Sequence, residues 1–149
     1  MKSVCVYCGS TEGRLPVYAE AARALGKALV ERGLGLVYGG ASVGIMGVLA
    51  DTVLGLGGRV TGVMPESIVR KEVAHRGLTE LHVTSSMHER KMLMAELSDA
   101  FLDHTVAERF VKEANRAMLI VSDDPSDLLT RFAAYRPPAV EKWIRKGET

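Results

Sequence analysis

The 149-residue sequence has almost no imbalance of charge. Its 19 Lys and Arg face 18 Asp and Glu, so it projects no field that would gather nucleic acid or an anionic lipid surface. It also lacks a long apolar run, and nothing approaches the ~20 residues that span a bilayer. Neither nucleic acid nor membrane is therefore an expected partner. The opening MKSVCVYCGS has none of the charged, apolar and small-residue zones of a secretory signal, which points to the cytoplasm. Metal chemistry is poorly provided for as well. Cys5 and Cys8 make one C-x-x-C with no second pair, in a strand-like run where positions three apart point to opposite faces, so both read as structural. His75, His82, His88 and His104 share no ligand spacing, and HERKM at 88–92 lacks the second histidine of a zinc helix. No metal and no cofactor are expected. Internal repeats, low-complexity tracts and linkers are missing too, so at this length residues 1–149 read as a single domain.

What is present is an alternation. Strand-like runs at Lys2 to Cys8, Leu34 to Tyr38, Arg59 to Met64 and Leu78 to Thr84 are separated by segments of helical period. That order predicts an α/β fold, a parallel sheet wrapped by helices. Tyr18, Ala21, Ala22, Leu25, Ala28 and Leu29 line one face of the first helix, which Gly33 ends. Gly44 to Leu56 forms the second, stopped at Gly57-Gly58. Ser86 to Phe101 reads as a third, and DDPSDLL at 123–129 opens a fourth with acidic residues and a proline suited to a first turn. Ala117 to Ser122 is a candidate short strand, and Trp143 to Thr149 a frayed tail.

The stretch YGGASVGIMG at 38–47 follows the second strand directly. A strand running into a glycine-rich turn and then a helix gathers backbone N–H groups and the positive end of a helix dipole at one point, which suits a phosphate. Gly39 and Gly40 permit a sharp turn and close approach of a ligand, and Gly44 and Gly47 let the helix pack closely. The plain alternative is a tight connection with no ligand. A second turn, Cys8-Gly9-Ser10-Thr11, ends the first strand, and strand ends of this kind share one crevice in open parallel sheets. The G-x-G-x-x-G spacing and the ribose-binding acid of dinucleotide sites are absent, so a mononucleotide fits better.

The segment SSMHERKMLMAEL adds a cation. Arg90, Met94, Leu97 and Phe101 fall on one helical line, so Arg90 extends an apolar stripe and calls for an anionic partner. Lys91 sits beside it near the helix start, where the dipole disfavours positive charge and a bound anion would offset it. The competing reading pairs the two with Glu89, Glu96 or Asp99, or leaves them in water.

In order along the chain, SVCVYCGS, LVYGGASVGIMG, VTGVMPESI, MHERKMLMAELSDAF, and FLDHTVAERFV followed by DDPSDLL resemble the LONELY GUY family. These are cytokinin riboside 5'-monophosphate phosphoribohydrolases, once labelled possible lysine decarboxylases. The resemblance implies a doubly wound, Rossmann-like fold, usually a homodimer. It also implies hydrolysis of the N-glycosidic bond of an adenine-type nucleoside 5'-monophosphate to free base and ribose 5-phosphate. Arg90 matches the family's catalytic arginine, and Lys91 and Met94 its nucleotide-contacting neighbours. Gly9, Ser10, Gly39, Gly40, Gly44, Met46 and Gly47 match its ligand-binding turns.

One departure stands out. Family members carry a P-G-G-x-G-T-x-x-E motif after the helix ending in SDAF, holding the catalytic glutamate. Here Ala100-Phe101 runs directly into Leu102-Asp103-His104, an apparent deletion at about 101/102. The clean match on both sides favours a recent loss or an omitted segment over slow divergence. Glu96 and Asp99 stand two or three helical turns from Arg90, at about 5.4 Å per turn, too far to replace that acid; Glu72 could reach the crevice from its loop. A nucleotide-binding module without catalysis is the alternative that the deletion raises.

Overall fold

β-Branched and aliphatic runs become strands and the helical-period segments cross between them. The computed structural model describes residues 1–11, 13–69, 73–103 and 124–135. The elements are β1 (Ser3–Tyr7), α1 (Pro16–Glu31), β2 (Gly35–Tyr38), α2 (Gly44–Gly55), β3 (Val60–Pro65), α3 (Glu66–Val69), β4 (Glu80–Thr84), α4 (Met87–Glu96), β5 (Ala100–Asp103) and α5 (Pro125–Ala134). The strands form one sheet in the order β4-β3-β2-β1-β5, and every pair is parallel.

Alternation along each strand feeds two cores. Val4 and Val6 of β1, Leu36 and Tyr38 of β2 and Val60 of β3 pack with Leu29 of α1, Leu49 and Val53 of α2 and Leu129 of α5. On the opposite face Cys5, Val37 and Val63 pack with Met94 of α4. The sheet is therefore covered on both sides, the doubly wound arrangement, and each fully buried aliphatic side chain contributes about 1.5–3 kcal/mol. Cys5 lies in one core and Cys8 packs against the other, as the spacing on a strand requires. α1 and α2 meet at Gly26, where an added Cβ would stand 3.0 Å from the Thr52 side chain. Gly33 (φ 65°) and Gly57 (φ 78°) take the left-handed conformation that ends these two helices. Pro125 and the Asp124 side chain, which accepts from the Ser126 N–H, start α5.

The third helix is shorter than its periodicity predicts. It ends at Glu96, and Ala100–Asp103 is a strand. Asp99 is the reason: its carboxylate accepts the N–H groups of Lys2 at 2.6 Å and Ser3 at 3.0 Å, and the Ser3 hydroxyl donates to the Leu97 carbonyl. These contacts bring the chain against the free edge of β1, whose backbone groups then pair with residues 100–103. Phe101 consequently leaves the line of Arg90 and Met94 and stands 46% exposed on β5. The four-residue α3 has no counterpart in the sequence reading, being too short to show a period. The expected strand at 117–122, the loop residue Glu72 and the tail at 143–149 lie outside the described residues. Among those described, no helix is long and apolar enough to cross a membrane.

Candidate functional site

The chain steps from β1 out to β4 at one edge, with α1 and α2 on one face of the sheet, then returns through α4 on the opposite face to β5 on the other side of β1. Such a switch point opens a crevice above the carboxyl ends of the strands. A cavity of about 350 Å³ lies there. Val6 to Ser10 line it from the end of β1, Gly39 from the end of β2, Met46 from α2 and Arg90 from α4.

Arg90 reaches the crevice because α4 starts firmly. Ser86 caps the helix, its hydroxyl accepting the Glu89 N–H, while the Glu89 carboxylate accepts the Ser85 N–H and hydroxyl, both at 2.7 Å. These bonds, the Ser85 hydroxyl first, hold the Glu89 carboxyl below its ordinary range. Glu89 is thus turned to the helix start and Asp99 to the foot of β1. Instead, the half-buried guanidinium of Arg90 donates from Nε to the Val63 carbonyl at 2.8 Å and from Nη2 to the Gly39 carbonyl at 3.1 Å. Its Nη1 lies 3.6 Å from the Met87 sulfur. Burial lowers the Arg90 pKa from its ordinary value. Carbonyl dipoles hold the cation, but among the described residues no carboxylate pairs with it, and a ligand carrying negative charge could fill that deficit.

The sequence-predicted residues divide. Gly9, Ser10, Gly39, Met46 and Arg90 meet in the cavity. Gly39 sits between two of the others: a Cβ there would land on Arg90 Nη2 and 2.9 Å from the Met46 sulfur. Gly40 (φ 80°) faces Met64 and Leu81 and accepts the His75 N–H. Gly44 (φ 63°) lets the backbone of Ser10 and Thr11 cross directly over it, and Gly47 packs on the Ser42 carbonyl. Lys91 is exposed and Met94 is in the core beneath α4. The free amide cradle expected at the start of α2 is partly closed. The N–H groups of Ile45 and Met46 point at the carbonyls of Thr11 and Gly9, 3.4 and 3.3 Å away, because the two glycine turns pack on each other. Tyr7 and Cys8 also line the cavity, and the sequence reading did not single them out for it. Their place just before the Gly9 turn is the signal that marks them. Burial pushes the Cys8 thiol up to about 11, so it stays protonated and is no nucleophile at neutral pH.

Comparison with known proteins fits this geometry. Residues 46–102 match the family described as "Possible lysine decarboxylase". The cytokinin riboside 5'-monophosphate phosphoribohydrolase of Rhodococcoides fascians is 47% identical over 141 residues, covering 91% of this chain and 71% of that protein. The LOG enzyme of the same name from Oryza sativa subsp. japonica is 41% identical over 140 residues, covering 91% of this chain and 58% of its own length. Among solved structures, the Moco carrier protein from Chlamydomonas reinhardtii superposes with a TM-score of 0.66 over 89% of this chain and 98% of that one. At 17% identity this likeness speaks for the fold alone. Fold and crevice together define a Rossmann-like α/β protein with a strand-tip site. The chain belongs to the family of cytokinin riboside 5'-monophosphate phosphoribohydrolases.

Proposed function

We propose that this protein hydrolyses the N-glycosidic bond of an adenine-type nucleoside 5'-monophosphate, with or without an N6 substituent, releasing free base and ribose 5-phosphate. The observation that carries the reading is Arg90, a half-buried cation held on two strand-end carbonyls and facing a cavity beside two glycine turns. Cleavage passes through an oxocarbenium-like sugar while charge develops on the departing base. Arg90 supplies positive charge either to the base as negative charge develops on it or to the phosphate, which is anionic throughout; water adds to the sugar carbon as the C–N bond breaks, and its proton ends on the base. Gly9, Ser10, Gly39 and Met46 contact the nucleotide; Gly40, Gly44 and Gly47 shape the turns that receive it. Lys91 and Met94 keep the family's positions next to Arg90, Lys91 as an outer cation and Met94 as packing beneath the helix.

The protein acts as a cytoplasmic homodimer and as one domain over residues 1–149, with a family-relative deletion at about 101/102. The family resemblance implies the dimer, and the match to the family's profile ends at residue 102. An intact mass of 16.1 kDa would establish the deletion as physical, and light scattering reads the oligomer. For the activity, purified protein is incubated with AMP and with N6-substituted AMP and the free base is measured by chromatography. Base released by the wild type and lost in Arg90→Ala supports the reading. No release from either nucleotide overturns it, and calorimetry on the same sample then tells a silent nucleotide-binding module from a protein that binds none.

A further inference from the structure

The loop between α3 and β4 holds a histidine that the site description leaves unused. His75 is nearly enclosed, its side chain 11% exposed, and its Nε2 lies 2.8 Å from Oδ1 of Asp51 on α2. The Gly77 N–H donates to Nδ1 at 3.0 Å, which leaves the ring proton on Nε2 and makes it the donor to Asp51. The same residue's backbone N–H donates to the Gly40 carbonyl at 2.9 Å. Beside it, Ala74 pairs with Ala41 in an antiparallel bridge, and the Ser42 N–H donates to the Val73 carbonyl at 2.8 Å. From within, the hydroxyl of buried Tyr38 donates to the Ala41 carbonyl at 3.1 Å. The end of β2 is therefore strapped, and Asp51 through His75 fixes the strap to the body of α2.

We infer that His75, held by Asp51, is a positioning residue for the crevice: it braces the Gly40–Ala41 peptide and thereby the adjoining Gly39 carbonyl, on which Arg90 is seated. The sequence of contacts is short. Asp51 orients the His75 ring; the His75 backbone ties Gly40; the neighbouring Gly39 carbonyl receives Arg90 Nη2 at 3.1 Å. Gly40 lies at positive φ, which glycine adopts without strain, so the bond from His75 fixes an otherwise freely turning link. A guanidinium seated on carbonyls moves when those carbonyls move, and an ångström of displacement at a reacting group costs up to about a hundredfold in rate.

The catalytic arm of this inference rests on the hydrolase reading, so the test carries a second readout that does not. Three variants suffice. Asp51→Ala removes the acceptor at a largely exposed helix position. Asp51→Asn keeps a carbonyl oxygen for the His75 Nε2 proton. His75→Asn retains an oxygen able to accept the Gly77 N–H but is too short to reach Asp51. NMR at low temperature follows solvent exchange of the Arg90 Nη2–H, which is bonded to the Gly39 carbonyl, and of the His75 backbone N–H, and base release is measured in parallel. Expected are exchange faster by about tenfold or more in Asp51→Ala and His75→Asn, with near-native exchange in Asp51→Asn and little change in melting temperature. Turnover falls with the same ranking. Wild-type exchange of the Arg90 Nη2–H in Asp51→Ala overturns the inference. Failure of the wild type to release base overturns the hydrolase reading instead and leaves the exchange comparison intact.

Discussion

Replacing Gly39 by alanine isolates the Arg90 seat. Gly39 does not use the left-handed backbone region, so alanine meets no conformational penalty there. The new methyl meets two side-chain ends, Arg90 Nη2 and the Met46 sulfur at 2.9 Å. Both belong to flexible side chains that can swing aside, so the fold survives. Arg90 cannot stay where it is, however, and the bond from Nη2 to the Gly39 carbonyl is lost. A hydrogen bond to a charged group is worth about 1.5–3 kcal/mol, which corresponds to roughly a ten- to hundredfold loss at about 1.4 kcal/mol per decade. Affinity for AMP by calorimetry and kcat/KM for base release should fall by that factor while the melting temperature stays close to wild type. Gly40→Ala provides the contrast. Its φ of 80° strains any side chain, and Met64 and Leu81 crowd the new atom at 3.4 and 3.3 Å. It should lose stability first, by about 1–3 kcal/mol. A Gly39→Ala protein with wild-type affinity and turnover would refute the argument that the Gly39 carbonyl seats the working guanidinium.

Other changes probe the same geometry from different sides. Arg90→Lys keeps the charge but loses the planar fork that spans the Val63 and Gly39 carbonyls, so nucleotide affinity should drop by about tenfold or more in calorimetry. Cys8, with its thiol pushed up to about 11, should be alkylated by iodoacetamide far more slowly at pH 8 than an ordinary thiol, with the rate climbing above pH 10; a fast reaction at neutral pH contradicts the buried placement. Hydrogen bonds from the Lys2 and Ser3 amides hold the Asp99 carboxyl below its usual value. Its stabilisation is therefore fully present above the unfolded value of about 4 and disappears as pH falls through the lowered folded value. In urea titrations the stability gap between wild type and Asp99→Asn should narrow below pH 4, and a gap independent of pH speaks against the pairing of β1 with the start of β5. Ser86→Ala should cost about 1 kcal/mol by removing the cap of α4, and should weaken AMP binding because Arg90 rides on that first turn.

Much of this arrangement is legible along the chain because it depends on local rules. Period-two runs at Lys2 to Cys8 and Arg59 to Met64 are strands, and the helix from Tyr18 stops where Gly33 turns left-handed. Arg90 was readable as a site candidate because a guanidinium on an apolar stripe needs a partner, whatever the fold. The misreading of Ala100 to Phe101 as helix shows the limit. Leu97 and Phe101 continue the period of α4, yet Asp99 captures two amides of β1, and the free edge of that strand recruits residues 100–103. A contact across 97 positions overrides a local period.

Apart from α3 and β5, the sequence alone determined the elements, the order in which they alternate and the two glycine turns, since these follow from backbone conformation and periodicity within a few residues. Only the tertiary structure decided what those turns do. Packed together, Gly44 admits the Ser10 backbone, so the amides of Ile45 and Met46 face the carbonyls of Thr11 and Gly9. Arg90 comes from another element altogether to furnish the cavity's charge. Where a donor finds its acceptor depends on distances between segments far apart in the chain, and those distances exist only once the sheet has closed its order from β4 to β5.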